Sequence, residues 1–284
     1  MSANAHLGSM GAAASHRRKF LSAHPQCAFC GGKAPAVTIE HCPPRAMFQF
    51  RHWPEGFEFP SCEPCNLGTT NQDLLFAMLA RMDPLEEKGD RDGRSVGLMK
   101  MTNRQYPGLF TKMMPSASQA RRTNRELGLR PEPGQTHQET GAVNVPEEIH
   151  QAVRVLACKL AKGIFYREAG FPFPDEGCLL LNWFTNADLI RTGKYVVFDL
   201  LKELNGAAPT LQRSGKYLND QFEYKLSLST ETDMLVLQAR FGNAFGLVVF
   251  GCTVTGKLEA MINRLRERSQ RDGPFAVLQS PSLT

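Results

Sequence analysis

The chain has 284 residues, of which 42% are hydrophobic, so it can bury a large core and is not disordered along its whole length. Its net charge of +5 and pI near 8.8 neither require nor exclude a polyanionic partner. Because there is no apolar run of roughly 18 residues and no hydrophobic signal core near the start, we expect a cytoplasmic protein without a membrane partner.

The first part of the chain leads into two short cysteine motifs. Residues 1–24 are rich in Ala, Ser, Gly and His without a sustained period, which predicts a flexible N-terminal arm. Residues 36–41 are typical of a short strand, and prolines at 43 and 44 stop it. A helix is predicted over residues 71–82 from its apolar face.

Two Cys-x-x-Cys pairs bracket the dipeptide Glu40-His41. They are Cys27 with Cys30 and Cys62 with Cys65. Four thiolates in two pairs suit a tetrahedral Zn²⁺, and without an export signal this spacing favours metal over disulfides. Because four cysteines complete a closed zinc shell, Glu40 and His41 are not needed as zinc ligands and are available for other chemistry.

The order of these motifs resembles that of the HNH endonucleases. The chain has Cys-x-x-Cys, then Thr38-x-Glu40-His41-x-Pro-Pro, then Cys-x-x-Cys followed by Asn66, and the resemblance covers roughly residues 27–82. It implies a ββα-metal fold in which His41 is the general base, while Glu40 and Asn66 hold a catalytic Mg²⁺ or other divalent cation. Phosphodiester hydrolysis needs such a base and such a cation, and Mg²⁺ prefers oxygen ligands.

The motif also departs from the family pattern in two places. No Asn lies between His41 and Asn66, so the middle Asn of the HNH name, which orients the catalytic histidine, has no counterpart. Gln49 and His52 are the candidates for that role. The acid before the histidine is Glu40 instead of the commoner Asp, which lengthens the metal-binding arm by one methylene group.

Basic residues occur in two places that matter for a nucleic-acid partner. Arg45, Arg51 and His52 follow the predicted base and are candidate phosphate contacts, with solvated loop charge as the alternative. The segment from Arg94 to Arg130 contains eight basic residues and one acid, a net +7. Its single sign favours phosphate binding, and an exposed linker is the alternative.

The rest of the chain predicts a connector and a second domain. Residues 83–144, punctuated by Gly and Pro, are interpreted as a partly ordered basic connector. Residues 145–272 predict an α+β domain of unknown role, available for a protein partner or self-association. Its predicted elements are a helix over 147–170, a possible strand over 178–184, a helix over 194–204, antiparallel strands over 222–228, 234–240 and 244–252, and a basic helix over 258–268, before a loose tail over 273–284.

The sequence therefore predicts an α+β protein, with an N-terminal zinc-stapled ββα-metal (HNH) domain over residues 25–82 and an α+β C-terminal domain with a small antiparallel sheet. The leading hypothesis is a metal-dependent endonuclease that acts on nucleic acid, with DNA as the expected substrate. Its cofactors would be a structural Zn²⁺ and a catalytic Mg²⁺. The alternative is a non-catalytic zinc-stapled module that binds nucleic acid or protein.

Overall fold

The structure, a computed structural model, describes residues 4–82, 90–201, 206–229, 233–254 and 275–278. This part of the chain mixes helices with antiparallel sheet, which confirms the predicted α+β class. Among the described helices, none combines the length and the apolar character that crossing a bilayer requires.

Most of the described helices lie in the first part of the chain, and most of the strands lie in the last part. The helices are α1 (Asn4–Ala23), α2 (Glu63–Leu67), α3 (Thr70–Ala80), α4 (Ser95–Gln105), α5 (Leu109–Met113), α6 (Ala117–Leu127), α7 (Glu147–Ala169), α8 (Ala187–Thr192) and α9 (Val196–Leu200). The strands are β1 (Thr38–His41), β2 (Glu58–Ser61), β3 (Cys178–Thr185), β4 (Gln212–Arg213), β5 (Lys216–Tyr217), β6 (Glu223–Ser229), β7 (Met234–Phe241), β8 (Phe245–Cys252) and β9 (Phe275–Leu278).

The strands form one larger sheet and two hairpins. The sheet has the order β6-β7-β8-β3-β9, and all its pairs are antiparallel. Strands β1 and β2 form the N-terminal hairpin, in which His41 is paired with Glu58. Strands β4 and β5 form a separate two-residue hairpin. The register of the N-terminal hairpin thus brings an acid beside the histidine.

Helix α7 connects the N-terminal hairpin to the rest of the fold. Glu147 and Glu148 lie in its first turn, where their negative charges interact favourably with the positive end of the helix dipole. Gly170 ends the helix in the left-handed conformation, with a φ of 81°. A Cβ atom at Gly163 would lie only 3.0 Å from Cζ of Phe59 on β2. The glycine therefore allows the hairpin to approach the helix closely.

Buried hydrophobic side chains from both parts of the chain belong to one cluster. Phe76 of α3 contacts Phe241 of β7 edge to face, with ring centroids 4.9 Å apart. Phe57 makes a similar contact with Phe222, at 5.6 Å. The boundaries predicted for separate domains stay a prediction, but the two parts share a core.

The predicted flexible arm over residues 1–24 is wrong for residues 4–23, which form helix α1. The segment is rich in alanine, which has the highest helix propensity, and a helix can form without an apolar period. Arg17 of this helix donates a hydrogen bond to the carbonyl oxygen of Val37, at 2.6 Å. The helix therefore contacts the chain just before β1.

The predicted partly ordered connector contains three helices, α4 to α6, and a 3₁₀ turn over His137–Thr140. Ser116 caps α6 in a reciprocal capping box with Gln119. Gly108 and Gly128, with φ of 80° and 71°, stand at the ends of short helices. The glycines that suggested disorder therefore delimit helices.

The predicted helix over 147–170 and the strands of the C-terminal part are confirmed by α7, β3, β6, β7 and β8. The helix predicted over 194–204 is shorter within the described residues, where it is α9. The basic helix predicted over 258–268 lies outside the described residues. The tail predicted to be loose includes β9, which pairs with β3 and so is ordered.

Candidate metal centre and basic site

Four cysteines meet where the two Cys-x-x-Cys motifs, here called the first and second knuckle, come together. The sulfur atoms of Cys27, Cys30, Cys62 and Cys65 all lie within 4.8 Å of one another. In the first knuckle, the backbone N–H of Gly32 donates to the carbonyl oxygen of Cys27, at 3.2 Å, which closes the turn. The second knuckle begins at the end of β2 and continues into α2.

The pKa values of the thiols in this cluster shift in opposite directions, and the case for a metal ion rests on how close the four sulfurs lie. A hydrogen bond from Cys65 lowers the pKa of Cys27 to about 4, although burial opposes the shift. Burial raises the pKa of Cys30 to about 11. Four thiolates at this separation repel one another unless a cation lies between them, and sulfurs bound to tetrahedral zinc at 2.3 Å lie about 3.8 Å apart. The four-cysteine cluster can therefore hold a metal ion such as zinc.

His41 lies at the end of β1 between a cation and an acid. Its Nε2 atom is 2.5 Å from Nη2 of Arg45 and 3.4 Å from Oε1 of Glu58. Because a guanidinium group can only donate, Nε2 accepts from Arg45 and the imidazole proton is on Nδ1. Burial, followed by the charge of Arg45, lowers the pKa of His41 to about 4, so the ring is neutral at pH 7.

Two arginines stack on Trp53 beside this histidine. The guanidinium carbons of Arg45 and Arg213 each lie 3.8 Å from the ring centroid. Two guanidinium groups cannot share one face at that distance, so they lie on opposite faces of the indole. His41 meets the same ring edge to face, at 5.1 Å. We call the set of Arg45, Trp53 and Arg213 the arginine–tryptophan stack.

Glu40 points away from His41 and into a buried ion pair. Its Oε1 atom accepts a hydrogen bond from Nζ of Lys159 on α7. The same ammonium group donates to Oγ1 of Thr69, at 2.7 Å, and lies 3.6 Å from Oδ2 of Asp73. Burial raises the pKa of Glu40 to about 7, and the charge of Lys159 opposes that shift. The carboxylate of Glu40 is therefore bound to an ammonium group of the protein, and the predicted role would bind it to a metal cation.

The amide nitrogen of Asn66 is bound to the neighbouring strand. Its Nδ2 atom donates to Oγ1 of Thr38, at 3.0 Å, and more weakly to the carbonyl oxygen of Ile39, at 3.4 Å. These bonds connect α2 to β1. The predicted Mg²⁺ site on Glu40 and Asn66 does not fit this arrangement, because Lys159 already neutralises the buried carboxylate.

The other predicted residues near His41 are distributed around its loop. Arg51 is exposed, and the ring of His52 lies 5.9 Å from that of Phe50. Gln49 is buried, and its backbone N–H donates to Oε1 of Gln221, at 2.7 Å. Gln49 therefore holds the loop against the C-terminal part, whereas Glu58 is the residue that lies beside the histidine.

The basic segment from Arg94 to Arg130 lies on helices α4 to α6 and the turns between them. Its arginines and lysines are exposed. Lys112 pairs with Glu148 at the start of α7, and Arg122 lies 3.9 Å from Glu126 in its own helix. Most of this charge faces solvent, as both interpretations of the segment require.

Three residues of the site were not predicted from the sequence, and they differ in whether any sequence feature could have indicated them. Glu58 follows from the hairpin register, since it is the cross-strand partner of His41. Lys159 stands on the apolar face of a predicted helix, an unusual position for a charge. Arg213 carried no signal, because only the tertiary fold brings it to Trp53.

The chain has no match among protein-family models, curated proteins or solved structures.

Proposed function

We propose that this protein binds nucleic-acid phosphates through the arginine–tryptophan stack, at the end of a hairpin whose base is held by a structural zinc ion. The observation that carries the proposal is the pair of guanidinium groups on Trp53, next to a neutral His41. Stacking on the indole holds both arginines in fixed orientations, and a planar guanidinium group binds phosphate through two parallel N–H groups.

Binding is supported better than hydrolysis because two of the three residues expected to catalyse are engaged through the atoms that catalysis would use. Glu40 accepts from Lys159, and His41 accepts from Arg45. A base with a pKa near 4 is also weak at neutral pH. These contacts support the proposal of binding without catalysis, which is the alternative considered beside the endonuclease hypothesis.

The zinc ion would have a structural role in this proposal. Residues Cys27, Cys30, Cys62 and Cys65 would hold it, and a closed four-thiolate shell leaves no position for water or substrate. The two knuckles flank β1 and β2, so the ion would fix the base of the hairpin whose other end carries His41. Bound zinc would thereby keep the arginine–tryptophan stack in position.

Fluorescence anisotropy with labelled oligonucleotides tests the proposal. Replacing Arg45 and Arg213 together by Gln should weaken binding and reduce the slope of log K against log salt by about 1.5, as expected for two lost phosphate contacts. The matched control is Arg191→Gln, since Arg191 is exposed and forms its ion pair with Asp188 in its own helix. Wild-type protein that fails to bind any oligonucleotide at low salt would rule the proposal out.

Hydrolysis is a second candidate function because the contact between Arg45 and His41 could be broken when a phosphate binds. Arg45 holds the Nε2 lone pair of His41, and a phosphate that drew Arg45 away would release this lone pair. His41 could then take the proton of a water molecule whose oxygen bonds to phosphorus as the P–O bond to the leaving group breaks. Arg45 would lie on the phosphate and balance the developing negative charge.

Plasmid nicking, with and without Mg²⁺ or Mn²⁺, separates the two candidates. If the protein is a nuclease, wild type nicks supercoiled DNA, and His41→Ala abolishes nicking while it retains binding. That variant also controls for contaminating nucleases. Binding by wild type without nicking would reject hydrolysis and leave the binding function standing.

A further inference from the structure

Phe50 departs from two ordinary rules of protein structure. It is a bulky non-glycine residue in the left-handed region, with φ of 56° and ψ of 13°, and Arg51 beside it has the same φ. Its side chain is nevertheless 54% exposed. A left-handed conformation costs on the order of 1–3 kcal/mol, and such strain persists only where the surrounding structure enforces it.

A buried ion pair enforces this conformation. The backbone N–H of Phe50 donates to Oδ2 of Asp92, at 2.6 Å, and both carboxylate oxygens accept from Arg81, at 2.7 and 3.0 Å. Arg81 is buried and also donates to the carbonyl oxygen of Phe48, at 2.8 Å. The fold therefore holds the Phe50 ring out in solvent through some of its strongest polar contacts.

The β4–β5 hairpin brings further positive charge to the same surface. Nε of Arg213 donates to the carbonyl oxygen of Trp53, at 2.5 Å, which fixes this hairpin against the loop. Nζ of Lys216, the cross-strand partner of Arg213, lies 5.8 Å from the Phe50 ring centroid. An exposed aromatic ring thus adjoins Lys216 and Arg51 and continues into the arginine–tryptophan stack.

We propose that Phe50 stacks on an unpaired base, so that the ligand of this surface is single-stranded nucleic acid. The proposal rests on the phosphate-binding function proposed above and names its substrate class. Phosphate contacts alone need only cations, and base pairs in a duplex stack on one another and offer no free face within the strand. An exposed ring beside cations is the arrangement that binds single strands without sequence preference.

The test compares one oligonucleotide of about 12 nucleotides, within the site sizes of single-strand binders, as a single strand and as a blunt duplex. Wild type should bind the single strand more tightly. Phe50→Ala should weaken that binding about tenfold or more, with little effect on the duplex, since stacking contributes about 1–3 kcal/mol per base. Phe50→Trp should restore the affinity. Phe171→Ala is the matched control, because Phe171 is also 54% exposed and should leave binding unchanged.

Three results would overturn the proposal. Phe50→Ala could bind the single strand as well as wild type while Lys216→Gln weakens it, which would leave a phosphate surface without base stacking. In a second result, Phe50→Ala would weaken binding of the single strand and of the duplex equally. In a third, an acidic peptide of equal charge would compete for the protein as well as the oligonucleotide does. Wild type that binds neither nucleic acid would instead reject the underlying binding function. Zinc content and thermal melting verify that each variant is folded.

Discussion

Lys159 of α7 donates a hydrogen bond to Glu40 of β1, and this ion pair is buried. The acid that the HNH resemblance assigns to a catalytic cation therefore has a cation from its own chain. The pair also joins two parts of the sequence that are far apart. It affects both the stability of the fold and the chemistry that the hairpin can perform.

Replacing Lys159 by Met should destabilise the protein by about 3–5 kcal/mol, because it leaves Glu40 and Asp73 buried without their ammonium partner. Urea unfolding measures this change. The matched control is Lys112→Met, since Lys112 is paired with Glu148 at the surface and should change the free energy of unfolding by less than about 1 kcal/mol. Equal effects of the two substitutions would contradict a structural role for the buried pair.

The pKa shifts of His41 and Glu40 predict opposite pH dependences. The pKa of His41 falls from 6.5 to about 4 on folding, so the unfolded chain binds the extra proton in this window and stability is lost as pH falls from 6.5 towards 4. The pKa of Glu40 rises from 4.5 to about 7, so the folded chain binds the extra proton and stability is lost as pH rises from 4.5 to 7.

Unfolding curves between pH 5 and 6.5 on zinc-loaded protein check these signs. Relative to His41→Gln, wild type should gain about 1.5 kcal/mol as pH rises across this range. Relative to Glu40→Gln, wild type should lose stability over the same range. Parallel curves for wild type and either variant would mean that the corresponding group is not shifted.

Metal analysis should find one zinc ion per chain, and Cys62→Ser should lose it. Removal of zinc by a chelator should lower the melting temperature and weaken nucleic-acid binding, because the knuckles fix the base of the hairpin. Cys178→Ser is the control, since Cys178 lies on β3 outside the cluster and should leave the zinc content unchanged. Zinc-free wild type prepared without chelators would refute the four-cysteine site.

The Arg81–Asp92 pair predicts a link between stability and binding. Asp92→Asn weakens the anchor of Arg81 and of the Phe50 backbone, so it should cost about 2–3 kcal/mol and reduce single-strand affinity. Asp220→Asn, at an exposed pair with Arg91, should change neither quantity appreciably. An Asp92→Asn variant with wild-type affinity would show that the conformation of Phe50 does not depend on this contact.

Two glycine substitutions should have opposite signs. Gly163→Ala should destabilise by about 1–3 kcal/mol, because the new methyl group would press on the Phe59 ring. Gly97→Ala in α4 should stabilise by about 0.5–1 kcal/mol, since nothing lies within 4 Å of its Cβ position and alanine favours helix. Thermal unfolding measures both. Stabilisation by Gly163→Ala would mean that the hairpin moves freely over α7.

The predictions that succeeded depend on local pattern. The cysteine cluster and the C-terminal strands follow from spacing and alternation that can be recognised within short segments. The prediction that Glu40 is a metal ligand comes from the motif alone, and the motif does not reveal which side chains surround Glu40 in the fold. Lys159 belongs to a helix more than one hundred residues away, and no rule of local spacing connects the two.

Helix α1 and the stack on Trp53 show two other limits of sequence reasoning. Residues 4–23 lack an apolar period, yet they form a helix through intrinsic propensity, a weaker signal than periodicity. Arg213 lies in a two-residue strand that carries no recognisable pattern. Its position on Trp53 follows from the packing of the β4–β5 hairpin, which depends on the whole fold.

The contact between Phe59 and Gly163 places a constraint on how this protein can vary. A larger residue at position 163 presses on the ring of Phe59, and a smaller residue at position 59 would relieve that contact. Substitutions at the two positions should therefore occur together among natural variants of the chain. The β1–β2 hairpin and helix α7 would then be inherited as one unit. Recombination between them would pair a hairpin with a helix whose surface does not fit it.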